Sequence, residues 1–279
     1  MKKKIEQLID VLEQTQWLPI EQLEQQQEHK LKKIVRHHAA HNAWFKQHLK
    51  DQGLSPNKIW TLEGLKTLTP FAKRDIQKAG DDFLTKVVPP DHLPVAISQT
   101  SGSTGEPVTM YKTNQNMVYW NAHVIRDHRW YNRSYTGKLT AVRATIRELL
   151  ERTPSWGGPV ELLYGSGPAQ GIPVGTDTYK QTELLTKFQP NIIIIHAGVL
   201  TGLVTEWERT GYPLTELQHI KNVGDTVHDS LRERVRKLTG LEIEDNYSSS
   251  EVGTIAIQCP VSGLFHVMSE NLIVEILDE

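Results

Sequence analysis

The sequence predicts an α/β fold built of layers, and three observations point to it. Short apolar strand-like runs alternate with amphipathic helical stretches through the middle of the chain. Near residue 100 a short strand runs into a loop of small residues and then a helix. Beyond residue 250 the pattern changes to closely spaced strands, which suggests an antiparallel β patch near the C-terminus.

The elements follow in order. Residues 2 to about 50 read as helices, with Ile5, Leu8, Ile9 and Leu12, then Leu31, Ile34, Val35, His38, Phe45 and Leu49, at helical spacing. Gly53 stands where that pattern stops. Thr61 to Ile76 holds two short helical signals around Pro70, and Val87 to Pro94 is a proline-rich connector. Strands are expected at Val95 to Gln99, Leu139 to Arg143, Val160 to Tyr164, Asn191 to His196 and Glu242 to Asn246. Helices are expected from Asn114 to about Tyr131, Thr178 to Phe188, Val199 to Arg209 and Asp229 to Thr239. The last strands are Thr254 to Gln258, Leu264 to Val267 and Leu272 to Leu277. This divides the chain into a helical segment (1–90), an α/β core (91–253) and a β segment (254–279).

Composition narrows the function classes. Of 279 residues, 38% are hydrophobic and 23% charged, enough apolar side chains for a sizeable core, and the net charge of -2 offers no basic footprint for nucleic acid or an anionic membrane. No apolar run is long enough for a membrane span, and the one cysteine, Cys259, cannot form an internal disulfide, so a cytoplasmic location is expected. His37, His38, His41 and His48 suggest metal ligation, but no carboxylate completes an HExxH-like set. Cys259 and His266 form a conceivable zinc pair; with no further ligand nearby, a buried thiol in a polar loop is the simpler expectation.

The strongest local signal is Gln99-Thr100-Ser101-Gly102-Ser103-Thr104-Gly105-Glu106-Pro107. Two glycines let the backbone turn tightly, and four hydroxyls can donate to phosphate oxygens, each such bond to a charged group contributing ~1.5–3 kcal/mol. It is not a Walker loop, because Glu106 and Pro107 stand where Lys and Ser/Thr would follow the glycine. Gly165 to Gly171 lacks the glycine spacing of a dinucleotide fingerprint. On composition alone the Thr100 loop reads equally well as a surface turn.

The order of residues resembles something more specific. Thr100 to Pro107 resembles the T-S-G-[ST]-T-G-x-P loop of the adenylate-forming enzymes, and Tyr247-Ser248-Ser249-Ser250-Glu251 resembles their Y-G-x-[ST]-E motif. Leu68 to Ile76 is similar to the LP-x-T-K-x-D-L segment of the phenylacetate–CoA ligase-like branch, and Cys259, Gly263, Phe265-His266 and Val274-Glu275-Ile276 resemble its E-C…G-L-H…E-I segment. The resemblance runs from about residue 30 to the end. It implies the large N-terminal domain of that fold, with ATP, Mg²⁺ and a small carboxylic acid as ligands. It also implies that Thr100, Ser101, Gly102, Ser103, Thr104 and Gly105 wrap the β- and γ-phosphates. Tyr247 would lie against adenine, with Ser248 and Ser249 beside it, Ser250 at the α-phosphate and Glu251 on Mg²⁺. Gly224-Asp225 resembles the loop that lines the adenine site.

Two departures stand out. Ser248 replaces the usual glycine, and Asp225 is shorter than the common glutamate. The sequence stops at Glu279, before the family's ribose-binding aspartate, hinge and lysine-bearing lid, so weak ATP binding and slow or absent adenylation are expected. The resemblance places the acid beside the helix after the phosphate loop, where Tyr111, Trp120, His123 and His128 lie, with Tyr164 and His196-Ala197-Gly198 from later loops. An aromatic lining suits an aryl or flat apolar acid, although these rings read equally as core. The implied activity is formation of an acyl-AMP and its transfer to a thiol, coenzyme A or a carrier protein. The alternatives are transfer to a protein or amine, and a lidless nucleotide-binding module. A homodimer is compatible with the sequence.

Overall fold

A computed structural model describes residues 1–99 and 109–277. The chain divides into two compact units, one of residues 1–6 and 120–267, the other of residues 7–119 and 268–279. Helices α1 (Lys2–Thr15) and α6 (Asn114–Trp130) contribute residues to both.

The first unit is built on a six-stranded sheet. Its strands are β3 (Leu139–Arg143), β4 (Leu150–Thr153), β5 (Ala169–Pro173), β6 (Ile192–Ile195), β7 (His219–Asn222) and β8 (Ile243–Glu244), in the order β4-β5-β3-β6-β7-β8. All neighbours are parallel except β4, which runs antiparallel to β5 at the edge. Central parallel strands are covered on both faces, so they read as continuous apolar runs; β6 is four isoleucines, three of them almost wholly buried. One face packs on α8 (Thr178–Phe188), α9 (Ala197–Thr210) and α10 (Asp229–Thr239) through Val142, Ile172, Leu185, Ile193, Ile195, Leu203, Trp207 and Val235. Asp177 starts α8 by accepting the N–H of Tyr179 at 2.9 Å. On the other face, the C-terminal half of α6 is pinned to β7 and β8 by buried charges. Asp127 receives Arg133 Nη1 at 2.6 Å as well as Lys221, and Glu244 receives Arg133 Nε at 2.8 Å and His219 Nδ1 at 2.5 Å. After β8 the chain turns into an antiparallel sheet β9 (Asn246–Ser249), β10 (Gly253–Gln258) and β11 (Phe265–Val267), ordered β11-β10-β9.

The second unit is helical, with α2 (Ile20–His41), α3 (Ala43–Asp51), α4 (Leu62–Leu65) and α5 (Lys73–Ala79). Leu31, Val35, Leu49 and Ile59 form its core, with Phe45, Leu54, Trp60, Leu68 and Ile273 around them. Asn42 caps α3 by accepting Phe45 N–H at 2.8 Å. Gly53, at φ +65°, lets the chain reverse so that Leu54 N–H reaches Leu49 C=O at 2.9 Å. An antiparallel ribbon of β1 (Val95–Gln99) and β2 (Thr109–Thr113) completes the unit. Thr100, Ser101, Gly102, Ser103, Thr104 and Gly105 join these strands and lie outside the described residues.

Two strand expectations fail. Residues 160–164 are not a strand: Gly158–Tyr164 is helix α7. Gly157 and Gly158, both at positive φ, swing the chain into a helical turn, Pro159 fits a helix's first turn, and Val160 and Leu163 share its buried side. Leu272 to Leu277 forms no strand either. Its backbone is instead bound by side chains of α2: Gln27 Nε2 donates to Ser269 C=O and, at 2.8 Å, to Leu272 C=O, while Ile273 packs into the helical core. Among the described residues, no helix is long and apolar enough to cross a membrane, and no three His, Cys, Asp or Glu side chains gather as a metal site. Cys259 is partly exposed rather than buried; the Ser262 hydroxyl first, and then the Ser262 N–H at 3.5 Å from Sγ, pull the thiol below its usual range.

Candidate functional site

In an open parallel sheet, the residue that follows each strand is delivered to one common edge, the carboxyl ends, where crevices form. Here β6 delivers His196, β7 delivers Val223-Gly224-Asp225, and β8 delivers Asp245 followed at once by β9 with Tyr247. His196 is extended and opens α9 without a side-chain cap. The cap comes from the next loop: Asp225 Oδ2 accepts Gly198 N–H at 3.1 Å while its Oδ1 accepts Thr226 N–H at 3.0 Å. The sequence therefore places a carboxylate on an otherwise orphaned donor at a helix N-terminus.

Gly224 is required where it stands. Its φ is +69°, and a Cβ there would meet His196 Cε1 at 3.4 Å, so the imidazole lies over the glycine backbone. Beneath this loop, Asn222 is wholly buried and donates through Nδ2 both to Asp225 C=O at 2.7 Å and to Asp245 Oδ1 at 2.8 Å. Asp245 also accepts Arg232 Nη2 from α10 at 2.9 Å and the N–H of Asn246 at 2.9 Å. One hydrogen-bonded chain thus ties the ends of β6, β7 and β8 and fixes the start of β9.

Tyr247 emerges from that anchor and is 63% exposed. Ser248 and Ser249 complete β9, and Ser249 Oγ accepts Val252 N–H at 3.3 Å, folding Ser250 and Glu251 into an exposed turn. Gly253 closes the turn at φ +88°; a Cβ there would meet Trp120 Cε3 at 2.8 Å, so the indole seats directly on the base of the hairpin that carries Glu251.

The structure therefore brings together His196, Ala197, Gly198, Gly224 and Asp225, and joins to them the strand bearing Tyr247, Ser248, Ser249, Ser250 and Glu251, with Trp120 against its base. Other residues expected nearby do not join them. Tyr164 ends α7, ahead of β5, at the amino ends of the strands, where its ring stacks on Tyr135 at 5.0 Å and its hydroxyl accepts Arg129 Nη2 at 3.2 Å. His123 is 1% exposed and belongs to the interior of α6. Tyr111 belongs to the second unit, exposed on the ribbon and paired in register with Ile97. Asn222, Asp245 and Arg232 were not legible in the sequence as site residues; the one signal was Asp245 two positions before Tyr247.

The chain is similar to known proteins. The chain is 24% identical over 260 residues to the phenylacetate–coenzyme A ligase of Pseudomonas putida, covering 86% of this chain and 54% of that protein. It is 24% identical over 251 residues to the enzyme of the same name from Escherichia coli strain K12, with the same shares. The chain thus spans about half the length of the curated relatives it matches. Among solved structures, 2-hydroxyisobutyryl-CoA ligase in complex with 2-HIB-AMP and CoA aligns with a TM-score of 0.65 at 16% identity, covering 88% of this chain and 53% of that one. The same ligase in the postadenylation state aligns with a TM-score of 0.64 at 15% identity. No family model matches the chain.

The chain has the fold of these adenylate-forming CoA ligases, and its sequence is similar to phenylacetate–CoA ligases. Within this fold the carboxyl-end network supports the motif strand, and a separate charge cluster on the α6 face joins Asp127 to His219, Lys221 and Glu244 of β7 and β8. Glu251 is exposed and has no ion-pair partner among the described residues, so its oxygens are open to a cation.

Proposed function

We propose that the protein takes part in ATP- and Mg²⁺-dependent activation of a carboxylic acid to an acyl-AMP, followed by transfer to a thiol such as coenzyme A or a carrier-protein cysteine. The observation that carries this is the hydrogen-bonded chain Gly198–Asp225–Asn222–Asp245, which brings the Gly224 loop to the root of the Tyr247 strand. The resemblance to the branch supports a base lying over the Gly224 backbone with the Tyr247 ring against it. The bare Cα of Gly224 suits close approach of a flat group, and exposed Tyr247 offers a stacking face. In the reaction, the substrate carboxylate oxygen attacks the α-phosphorus, and the bond to the bridging oxygen of pyrophosphate breaks. Both partners are anionic, so the residues around them must hold negative charge together without water. Ser250, beside Glu251 in the turn, would donate its hydroxyl to an α-phosphate oxygen. Mg²⁺ is commonly held by one or two carboxylates plus substrate phosphates, a pattern Glu251 fits, and would neutralise charge on the phosphates. The Thr100–Gly105 loop would hold the β- and γ-phosphates.

Calorimetric titration of the chain with ATP, with and without Mg²⁺, tests this. Binding that strengthens with Mg²⁺ is expected, with Glu251→Ala removing the Mg²⁺ dependence and Tyr247→Ala weakening binding about tenfold or more, in line with ~1–3 kcal/mol per stacked base. Absence of ATP binding at millimolar concentration, in either condition, overturns the proposal. Hydroxamate trapping over a panel of acids then reports on the activation step.

A further inference from the structure

One cation at the same strand edge has no place in the roles above. Arg143 is the last residue of β3, the strand between β5 and β6. It pairs in register with Pro173 of β5, and the ladder Leu139↔Ile192, Ala141↔Ile194 carries on to set Arg143 beside His196. Alternate residues of a strand share a face, so Arg143 lies on the face of Leu139 and Ala141, and His196 on the face of Ile192 and Ile194. That is also the face of His219 and Lys221, on which α6 packs through Asp127. Arg143 and His196 are therefore neighbours at the carboxyl ends, on the side covered by the helix that carries Trp120.

The Arg143 side chain is partly buried and, among the described residues, makes no side-chain hydrogen bond or ion pair. Burial pulls its pKa below the usual arginine value, with no carboxylate opposing the effect. The contrast within this unit is sharp: Arg133, Arg232 and Arg234 each hold a carboxylate. A guanidinium stays charged at any physiological pH, and one held out of water without a partner is unfavourable. Such a group in a crevice is completed by an anion brought from outside, and its planar fork fits a carboxylate in two-point contact.

We propose that Arg143 recognises a second anionic group on the acid, so that the acid is a small diacid rather than a flat apolar monoacid. This rests on the activation reading of the same crevice. The nucleotide loops lie at β7 and β8, two and three strands from β3, or roughly 10–14 Å at the usual strand spacing. An acid whose reacting carboxylate faces the α-phosphate therefore presents its far end toward β3. His196, between the two, sets the side wall. A purely apolar acid would instead cover the guanidinium and leave it unpaired.

The test compares matched acids on the full chain, by calorimetry in the presence of saturating AMP and Mg²⁺: succinate against butyrate, and isophthalate against benzoate. Each diacid is expected to bind at least about tenfold tighter than its monoacid, the ratio a charge-assisted pair supplies. Arg143→Gln should erase that preference while leaving AMP affinity within about twofold, and Arg143→Lys should keep part of it, which separates loss of charge from misfolding. Equal binding of diacid and monoacid by the unaltered chain overturns the proposal, as does a preference that survives in Arg143→Gln. A parallel loss of AMP affinity in Arg143→Gln also overturns it, by assigning the guanidinium to the phosphates. Failure of the unaltered chain to bind AMP sinks the activation reading and this proposal together, whereas AMP binding without diacid preference sinks this one alone.

Discussion

Replacing Arg133 by methionine tests how the charge cluster holds α6 to the sheet. The Arg133 side chain is wholly buried and donates to two carboxylates, to Asp127 Oδ2 at 2.6 Å and to Glu244 Oε2 through Nε at 2.8 Å. Methionine has nearly the right length and apolar bulk, so little cavity forms. What changes is charge: Asp127 keeps only Lys221, and Glu244 keeps only His219. Leaving a buried charge short of its partner costs about 3–5 kcal/mol. Set against a total stability of roughly 5–15 kcal/mol, that removes about a fifth or more. With a urea slope of about 1–3 kcal/mol per molar, the midpoint of unfolding at pH 7 should fall by about 1 M or more with the slope unchanged. Arg133→Lys should recover part of the loss, since one ammonium can satisfy one of the two carboxylates. A midpoint for Arg133→Met within about 0.3 M of the unaltered chain would refute the assignment of Arg133 as the hub.

Two further outcomes are expected. His128 is pushed down to about 3, first by burial and then by the Arg133 charge, so it stays neutral in the folded chain while the unfolded chain protonates it near 6.5. A depressed folded pKa means that its contribution is complete above about pH 6.5 and is lost as pH falls toward 3, at about 1.4 kcal/mol per unit. Unfolding free energies at pH 7 and 5 should therefore differ by about 2 kcal/mol less in His128→Asn than in the unaltered chain, and equal differences would refute it. Gly253→Ala meets both a positive φ of +88° and the Trp120 ring at 2.8 Å, so it should destabilise by about 1–3 kcal/mol and shift the tryptophan emission; an unchanged melting temperature and spectrum would count against the Trp120–Gly253 contact.

Much of the fold was legible because its signals are local. Helices α8 and α10 lie at the expected residues, Asp177 marks one start and Gly240 one end, and β6 reads as a run of isoleucines. The strands β5 and β7, which the sequence does not announce, lack such signals. β5 begins Ala-Gln-Gly and contributes little apolar side chain, because Gly171 gives its space to Ile146 and Leu150. β7, His-Ile-Lys-Asn, is mostly polar because its α6-facing side chains, His219 and Lys221, belong to the charge cluster. The last stretch failed for the opposite reason: Ile273, Val274 and Ile276 have strand composition, yet the backbone is taken by Gln27, more than two hundred residues earlier, and Ile276 is left 97% exposed. Side-chain competition of that kind has no local signature.

The site divides along the same line. Motif residues could be named from the sequence, because Tyr247 to Glu251 carry their own pattern. Asn222 and Asp245, which hold them, could not, because each owes its position to being the last or next residue of a parallel strand. Once β3, β6, β7 and β8 are known, their ends name Arg143, His196, Asn222 and Asp245 without any motif. The same rule explains why Tyr164 lies away from the position that its sequence suggests. Were Val160 to Tyr164 a strand of the sheet, Tyr164 would stand at its carboxyl end, beside His196. Since Gly157-Gly158-Pro159 turns that stretch into a helix leading into β5, Tyr164 falls at the amino end instead, the whole length of a strand away from the crevice.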